Sequence, residues 1–461
     1  MPDRPLVVVS NRGPLSFAID DAGDLVTRKA GGGLATTVGG ALAGTGTLWV
    51  AGALDEADRR AAEGGTVEAE GFNVQLLSLD ADTYRAYYDV IANGTLWFLH
   101  HGLWDTPRRP RFDRHWWAAW ERFREVNQAF AAQLADCAPK DALVLVQDYH
   151  LPLVGPALSA ARPDVATVHF SHTPFASPDA LRVLPDEVAG ELLRGMAGHG
   201  ACGFHSARWA RAFDQCCQEV LGASPTTFVS PAAADADDIR AVAASAGCTD
   251  ARATLEELVG GRRLIVRVDR IELSKNIVRG FLAFDELLAT KPHWRGEVVF
   301  GAFVYPSREG LAEYQAYRQE VEAVIERVNA RWSTPEWTPI VYDPTDDFAR
   351  SIAALQLAEV LLVNPVRDGL NLVAKEGPIV NERDGVLALS RESGVWDELG
   401  DAALGLHPFD ISGTAQTLHR ALAMPAGERR DRAERLRALA TARTPSDWLA
   451  DLVAAGTAAA D

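Results

Sequence analysis

Hydrophobic positions along the chain gather into short continuous runs, separated by longer segments with a helical pattern. Runs without polar alternation are typical of strands that are covered on both faces. Their regular alternation with helical segments predicts parallel strands joined by crossover helices. We predict seven such strands, at residues 6–10, 47–52, 143–147, 165–170, 263–268, 296–303 and 359–364.

Polar residues directly follow several of the predicted strands. Gln147, Asp148 and His150 end one run, and His172 follows another. In open α/β sheets, ligands bind beyond the carboxyl ends of the strands. We therefore expect a functional site at these strand ends.

A change in composition divides the chain into two α/β halves. Ala, Asp and Gly dominate between about residues 231 and 262, before a new strand begins. We predict an N-terminal Rossmann-like domain over 1–240, joined by a C-terminal helix at 446–461, and a second Rossmann-like domain over 241–445. Two such domains are expected to face each other across a cleft that encloses a ligand.

Composition excludes several classes of function. The 461 residues carry a net charge of −18, which argues against a nucleic-acid partner. No apolar run approaches the roughly 20 residues that a membrane-spanning helix needs. The N-terminus begins a strand without a signal-peptide pattern, so we expect a cytoplasmic protein with no membrane partner. The five cysteines lack a paired metal-ligand spacing, and no metal is expected.

Two segments could hold phosphate groups. Three glycines, ending at Gly33, precede a helical pattern and could bring backbone N–H groups to phosphate oxygens, although a plain tight turn is an alternative. Arg270 and Lys275 follow a predicted strand, where two cations would stabilise a leaving diphosphate. The alternative is a surface salt bridge of Arg270 with Glu272 or Asp269.

The segment 364–376 is the most specific. A strand ends, a polar turn with a glycine follows and a helix begins, so free N–H groups are available to sugar hydroxyls or phosphate. Glu376 on that helix could accept hydrogen bonds from ribose hydroxyls. Lys375 is interpreted as a structural or surface residue.

These segments together resemble the trehalose-6-phosphate synthase family over nearly the whole chain. RDGLNLVAKE at 367–376 differs from the family's RDGMNLVAKE by one residue. The other matching segments, in the family's order, are VVVSNRGP, AGGGL, YYDVIANGTLW, VQDYHL, HTPF, DRIELSK and YPSREGLAEYQAYR. The resemblance implies a GT-B fold and a retaining glycosyltransferase without a metal requirement. Its reaction would move glucose from a nucleotide-glucose to glucose-6-phosphate, giving α,α-trehalose 6-phosphate.

The resemblance also assigns roles to residues. The acceptor hydroxyl would attack from the face that the diphosphate leaves, with the leaving phosphate oxygen taking the proton; a double displacement through a carboxylate is the alternative. The acceptor set is Arg12, Tyr88, Trp97, Asp148 and Arg308. The donor set is Gly33, Arg270, Lys275, Asn364, Asp368, Gly369, Leu370, Asn371, Leu372 and Glu376. Catalytic roles are expected for Asp148, His172, Arg270 and Lys275.

The chain departs from the family pattern at three places. Gly52 stands where a second tryptophan is expected, ELSKN at 272–276 replaces DYSKG or DYTKG, and Asn364 replaces a threonine. The amide of Asn364, near the base, favours GDP-glucose over UDP-glucose. Two alternatives stay open: a pseudo-glycosyltransferase that couples a nucleotide cyclitol to an amino-cyclitol phosphate, and a non-catalytic sugar-phosphate sensor. A homo-oligomer is compatible with all of them.

Overall fold

The computed structural model describes residues 4–20, 22–29, 33–42 and 44–459, without the side chains of residues 28, 29 and 33–37. Strands form throughout this part of the chain. They are β1 (Leu6–Ser10), β2 (Leu15–Ile19), β3 (Leu25–Lys29), β4 (Leu48–Gly52), β5 (Val67–Ala69), β6 (Phe72–Leu77), β7 (Leu143–Gln147), β8 (Ala166–Ser171), β9 (Ala201–Phe204), β10 (Thr227–Val229), β11 (Arg263–Arg270), β12 (Val298–Tyr305), β13 (Ile340–Asp343), β14 (Val360–Val363), β15 (Val386–Ser390) and β16 (Leu404–Leu406).

Helices fill most of the connections between the strands. They are α1 (Gly33–Leu42), α2 (Glu56–Glu63), α3 (Ala81–Arg85), α4 (Trp97–His101), α5 (Arg114–Cys137), α6 (Val154–Ala161), α7 (Pro178–Leu181), α8 (Asp186–Ala197), α9 (Ala207–Leu221), α10 (Ala236–Ala243), α11 (Ala246–Val259), α12 (Ile277–Thr290), α13 (Ala312–Trp332), α14 (Phe348–Leu357), α15 (Val373–Val380), α16 (Trp396–Leu399), α17 (Ile411–Leu422), α18 (Ala426–Ala440) and α19 (Pro445–Ala458). A π-helical segment, Ala86–Leu96, continues α3 directly into α4.

All seven predicted strands are confirmed, each with ends within two residues of the prediction. Most of their side chains are buried on both faces, as in Leu143–Gln147. The remaining strands were not predicted. Several of them, such as β10 and β16, span only three residues. Runs this short carry too little hydrophobic pattern to stand out from a loop.

The described residues divide into two compact units. Unit 1 runs through Ala232 and takes up the chain again at Pro445. Its main sheet has the order β10-β9-β8-β7-β1-β4-β6-β5, in which only β5 pairs antiparallel. Helix α19 packs on β7, β8 and β9. The carboxyl ends of β1, β7 and β8 therefore lie at one edge of this sheet.

Unit 2 spans Ala233–Thr444 and contains a second, six-stranded sheet. The order β13-β12-β11-β14-β15-β16 is parallel throughout. Strands β11 and β14 are neighbours near the centre of this sheet. Each is followed by a polar turn that belongs to the predicted donor site. Both turns thus leave the same edge of one sheet.

The predicted domain boundary lies too far along the chain. A division at 240/241 would cut α10, which packs on α14 and α15 of unit 2. The structure divides instead between Ala232 and Ala233. Composition suggested a linker, but the Ala- and Asp-rich segment forms two helices of unit 2, because alanine is a strong helix former. The return to unit 1 at Pro445 is one residue before the predicted 446.

None of the described helices is both long enough and apolar enough to cross a membrane.

Candidate active site

Tyr88 and Trp97 of the predicted acceptor set lie on the π-helical segment and directly after it. They are nine residues apart. In an α-helix this is about 2.5 turns, which would direct them to opposite faces. Wider i→i+5 hydrogen bonding raises the number of residues per turn and brings both to one face. Both rings accordingly contact neighbouring residues, Tyr88 stacking on His150 at 5.8 Å and Trp97 meeting Tyr149 at 5.6 Å.

Aromatic contacts connect Tyr88 to the end of β1. Tyr84 stacks on Tyr88 at 5.3 Å between ring centres, and its hydroxyl accepts a hydrogen bond of 3.1 Å from Asn11 Nδ2. Arg12, the next residue, is exposed and is one of the charges that act on Tyr84. Arg12 and Tyr88 are thus close neighbours in unit 1, and the buried Trp97 is connected to Tyr88 through Tyr149 and His150. His150 was expected among the polar strand ends, whereas Tyr84 was missed by the sequence analysis.

Asp148 lies at the end of β7 in a left-handed conformation, with φ of 72°. Three hydrogen bonds link it to the end of β8, in addition to one of 3.3 Å from the backbone N–H of Leu151 to its carbonyl. Its backbone N–H donates to the carbonyl of Phe170, its carbonyl accepts from His169 Nε2 at 3.1 Å, and its carboxylate accepts from the backbone N–H of His172 at 3.2 Å. Such a strained non-glycine conformation persists only where its surroundings enforce it, and it is often found at functional sites.

The ring of His172 belongs to a directed chain of hydrogen bonds. The backbone N–H of Ala232 donates to His205 Nδ1 at 3.2 Å, so a neutral His205 carries its proton on Nε2. That Nε2 donates to His172 Nδ1 at 3.1 Å, and His172 Nε2 then donates to Gln147 Oε1 at 2.9 Å. Both ring nitrogens of His172 are occupied within the protein.

The catalytic role expected for His172 stays a prediction, and this geometry argues against its side chain as a proton donor or acceptor. Burial, with a smaller effect of His169, lowers the pKa of His172 to about 3. A neutral ring with both nitrogens bonded neither gives nor takes a proton near neutral pH. His172 instead orients Asp148 through its backbone N–H. Gln147 was expected among the polar strand ends, whereas His205 was missed because it lies 33 residues from His172 on another strand end.

Two further predictions concern the amino-terminal part of unit 1. Helix α1 begins at Gly33, as expected for a turn that presents N–H groups, whereas Gly31 and Gly32 lie outside the described residues. At Gly52 an added Cβ would lie 3.2 Å from the carbonyl oxygen of Asn11. The backbone of the β1 end therefore occupies the space that a larger residue at Gly52 would need.

In unit 2, Lys275 is held between two carboxylates. Its Nζ lies 2.7 Å from Asp368 Oδ2 and 3.7 Å from Asp269 Oδ1. Desolvation lowers the pKa of this ammonium, but the nearby carboxylates outweigh it and raise the pKa above its usual range. The turns after β11 and β14 thus bring Lys275 and Asp368 together, as the donor prediction requires. A lysine this well paired is a fixed positive charge.

Arg270 forms the salt bridge with Glu272 that was considered as the alternative, but the carboxylate is buried instead of at the surface. Its Nε lies 3.1 Å from Glu272 Oε1, and Glu272 is fully buried. The same oxygen also accepts from Arg308 at 2.7 Å, and Arg308 has a left-handed φ of 46°. One buried carboxylate therefore joins Arg270 of the predicted donor set to Arg308 of the predicted acceptor set. The Arg270 side chain remains 46% exposed, so it can contact a ligand.

The turn after β14 leaves amide groups available at the start of α15. Asn371, with φ of 88°, donates from Nδ2 to Asp368 Oδ2 at 3.1 Å and caps the N–H of Ala374. Among the hydrogen bonds of the described residues, the N–H groups of Leu370, Asn371 and Leu372 have no partner. Gly369 lies within the same turn. This matches the expectation that backbone amides after Asp368 face a ligand.

The carboxylate of the partly buried Glu376 has no hydrogen-bond or ion-pair partner among the described residues, while its backbone N–H donates to the carbonyl of Leu372. Desolvation raises its pKa to about 7. A carboxylate without a protein partner is costly to bury unless a ligand satisfies it. The next-door Lys375 is structural, as interpreted: it is buried and pairs with Glu398 at 2.8 Å.

Asn364 does not lie where it could select a base. It is 1% exposed, its Oδ1 accepts from Arg267 Nη1 at 2.7 Å, and its Nδ2 donates to the carbonyl of Asn276 at 3.3 Å. Both ends of the amide are thus used inside unit 2, which removes the reason for favouring guanine. Arg267 was missed, although a charged residue inside an apolar parallel strand is an unusual pattern.

No group of three or more His, Cys, Asp or Glu side chains suited to a metal ion occurs among the residues that the structure describes.

Comparison with known proteins assigns the chain to a family. The family model of glycosyltransferase family 20 matches residues 4–455. A bifunctional trehalose-6-phosphate synthase/phosphatase of Thermoproteus tenax is 31% identical over 98% of this chain. The chain spans 64%, 61% and 54% of the lengths of three curated relatives that it matches.

Solved structures extend the likeness to the fold. An α,α-trehalose-phosphate synthase (UDP-forming) from Burkholderia xenovorans in complex with glucose-6-phosphate is 30% identical, with a TM-score of 0.85 over 97% of this chain and 99% of that one. An E. coli structure described as trehalose-6-phosphate bound with UDP-2-fluoro glucose is 27% identical, with the same TM-score and coverage. The expected GT-B class is confirmed by these neighbours. The chain therefore belongs to glycosyltransferase family 20, the family of the trehalose-6-phosphate synthases.

Proposed function

We propose that the chain transfers glucose from UDP-glucose to glucose-6-phosphate and releases UDP and α,α-trehalose 6-phosphate. The observation that carries the proposal is the group of charges at the carboxyl ends of β11 and β14. There Lys275 is fixed 2.7 Å from Asp368, and the half-exposed Arg270 lies on the same strand end. A diphosphate leaving group gains charge in the transition state, and fixed cations stabilise that charge.

The donor proposal rests on unit 2. Glu376, whose carboxylate has no protein partner, would accept hydrogen bonds from the ribose hydroxyls. The free N–H groups of Leu370, Asn371 and Leu372 would contact the glucose or its phosphate. UDP is chosen over GDP because relatives carry the name "UDP-forming" and because Asn364 has no free hydrogen-bonding group.

The acceptor proposal rests on the group formed by Arg12, Tyr84, Tyr88, His150 and Trp97 in unit 1. Aromatic rings pack well against the apolar faces of a sugar, and an exposed guanidinium suits its phosphate. Asp148, held in place by three hydrogen bonds, would orient an acceptor hydroxyl. Arg308 is proposed as a second phosphate contact, positioned by Glu272.

The chemical step is proposed as a same-face displacement. The bond from glucose C1 to the diphosphate oxygen breaks, the bond from C1 to the acceptor oxygen forms, and the acceptor proton passes to the leaving oxygen. The configuration at C1 is then retained without a protein nucleophile. Arg270 and Lys275 supply positive charge that a divalent metal would otherwise provide, so no metal is required.

Purified chain with glucose-6-phosphate and either UDP-glucose or GDP-glucose tests the proposal. We expect UDP release and a non-reducing disaccharide phosphate, with both anomeric protons in the α configuration by NMR, in the presence or absence of EDTA. GDP release alone would overturn the choice of nucleotide. Nucleotide binding without transfer would support the sensor, and turnover only with a nucleotide cyclitol and an amino-cyclitol phosphate would support the pseudo-glycosyltransferase.

A further inference from the structure

A buried arginine lies behind Lys275. Arg267 is fully buried in β11, two residues before Asp269, so both side chains are on the same face of the strand. Its Nε donates to Asp269 Oδ2 at 3.0 Å, and its Nη2 donates to the carbonyl of Lys275. Gly280 makes room for it, because an added Cβ there would lie 2.6 Å from Arg267 Nη1. A buried guanidinium requires such partners.

Two departures from the family pattern meet at this arginine. Asn364 accepts from Arg267 Nη1 at 2.7 Å and donates to the carbonyl of Asn276 at 3.3 Å. In return, Asn276 Nδ2 donates to the carbonyl of Asn364 at 2.9 Å. Each bond runs from a side-chain amide to the backbone carbonyl of the other residue, and a glycine at 276 has no side chain to donate one of them. The two asparagines thus link the turn after β11 to the end of β14 by two side-chain bonds.

Asn276 also supplies the backbone conformation that the turn needs. Its φ of 61° and ψ of 38° are left-handed, a region that glycine favours and asparagine tolerates better than other side chains. Its Nδ2 makes a second bond, of 2.7 Å, to the carbonyl of Pro408. The residue that follows Lys275 is thus fixed both by its conformation and by its side chain.

These contacts act on both ends of Lys275. The lysine carbonyl is held by Arg267, and the lysine ammonium faces Asp269 and Asp368. Arg267 donates a hydrogen bond of 3.0 Å to Asp269 Oδ2. The Lys275 ammonium makes a longer contact, of 3.7 Å, with the other carboxylate oxygen, Oδ1. Without Arg267, Asp269 would pull the ammonium inward and neutralise it. The charge of Lys275 would then be less available to an anion.

We propose that Arg267, Asn276 and Asn364 form a positioning cluster that fixes Lys275 for the diphosphate of the donor. The inference rests on the proposed role of Lys275 in donor binding. The cluster replaces the glycine and threonine of the family pattern as one unit. It alters how the donor lysine is held and leaves the choice of base unchanged.

Binding of UDP by calorimetry tests the cluster without any need for turnover. Losing hydrogen bonds to a charged group is expected to weaken UDP binding about tenfold in Arg267→Met, with partial recovery in Arg267→Lys. Asn276→Gly and Asn364→Thr should each weaken it severalfold. The double variant should bind UDP more weakly than either single variant, because each change removes a different side-chain bond to a backbone carbonyl that remains. The Michaelis constant for glucose-6-phosphate should stay unchanged in all of them.

Asn329→Thr is the matched control. Asn329 also makes reciprocal amide bonds with one backbone position, Ile340, at 2.8 and 2.9 Å, but these bonds do not involve Lys275. The Asn329→Thr variant should have a lower melting temperature than the wild type and the same UDP affinity. If circular dichroism shows that Arg267→Met is unfolded, the UDP affinities of the asparagine variants decide whether the cluster acts on Lys275.

Folded variants of Arg267, Asn276 and Asn364 with wild-type UDP affinity would overturn the cluster. Wild-type binding of UDP without transfer would contradict the proposed reaction alone. A wild-type chain that binds no nucleotide diphosphate would overturn both.

Discussion

The two candidate substrate regions satisfy their buried polar groups in different ways. At the strand ends of unit 1, neutral groups form directed hydrogen bonds, as in the chain from Ala232 through His205 and His172 to Gln147. At those of unit 2, ion pairs dominate, with Lys275 on Asp368 and two arginines on Glu272. Neutral hydrogen bonds impose direction, which suits sugar hydroxyls. Fixed charges suit a diphosphate, whose charge changes during transfer.

The largest effect is expected at the ion-paired strand ends of unit 2, called the charged region below. Lys275→Gln should lower kcat/KM about a thousandfold, because it removes a cation from the leaving group and leaves Asp368 uncompensated. Steady-state kinetics with varied UDP-glucose would measure it. Lys140→Gln, whose side chain is 86% exposed in unit 1, is the control. Equal activity of the two variants would remove the charged region from catalysis.

The hydrogen-bonded strand ends of unit 1 are called the neutral region below. A substitution there should have a smaller effect on kcat/KM. Asp148→Asn keeps the shape and tolerates the left-handed backbone, but it should lower kcat/KM for glucose-6-phosphate about a hundredfold through loss of a charged acceptor. UDP affinity should not change. Asp164→Asn, which breaks an ion pair with Arg162, serves as the control. A loss of UDP affinity in Asp148→Asn would contradict the separation of the two regions.

Stability should depend on pH through the neutral region. Burial lowers the pKa of His172 to about 3 and that of His169 to about 4, below the unfolded value near 6.5. The unfolded chain then binds more protons, so this stability is present above pH 6.5 and is lost as the pH falls toward the folded pKa values. Between pH 7 and pH 5, the titration of each histidine should lower the free energy of unfolding by about 2 kcal/mol.

Urea unfolding of the wild type and of His172→Gln at pH 7 and pH 5 would measure that loss. The variant should lose less stability over this range, because glutamine does not titrate. An identical loss in both proteins would show that His172 titrates normally in the folded state.

The smallest effect concerns donor affinity and pH. With the pKa of Glu376 raised to about 7, ribose would bind the ionised form, and the dissociation constant for UDP-glucose should fall about tenfold from pH 6 to pH 8. UDP-glucose is the suitable probe because its diphosphate does not titrate in this range. Glu376→Gln should bind more weakly and show no such dependence. A wild-type profile as flat as that of the variant would exclude this role.

The sequence predicted the locations of the site better than its internal contacts. Asp148, Arg270, Lys275 and Asp368 lie at strand ends, as expected from polar residues that directly follow apolar runs. The sequence did not show which neighbours occupy the side chains of His172 and Asn364, although it placed both at strand ends. Such occupancy depends on residues more than 20 positions away, as the separations of His172 from His205 and Asn364 from Arg267 show.

The sequence alone determined the parallel α/β architecture, the family and the strand ends that carry the chemistry, because local hydrophobic period and short motifs are properties of adjacent residues. Only the tertiary structure decided the π-helical segment that brings Tyr88 and Trp97 to one face, the proton positions on His172 and His205, and the partners of Arg267. Each of these features depends on hydrogen bonds between elements that are distant along the chain, or on a change of helical pitch. A short stretch of sequence does not show either of them.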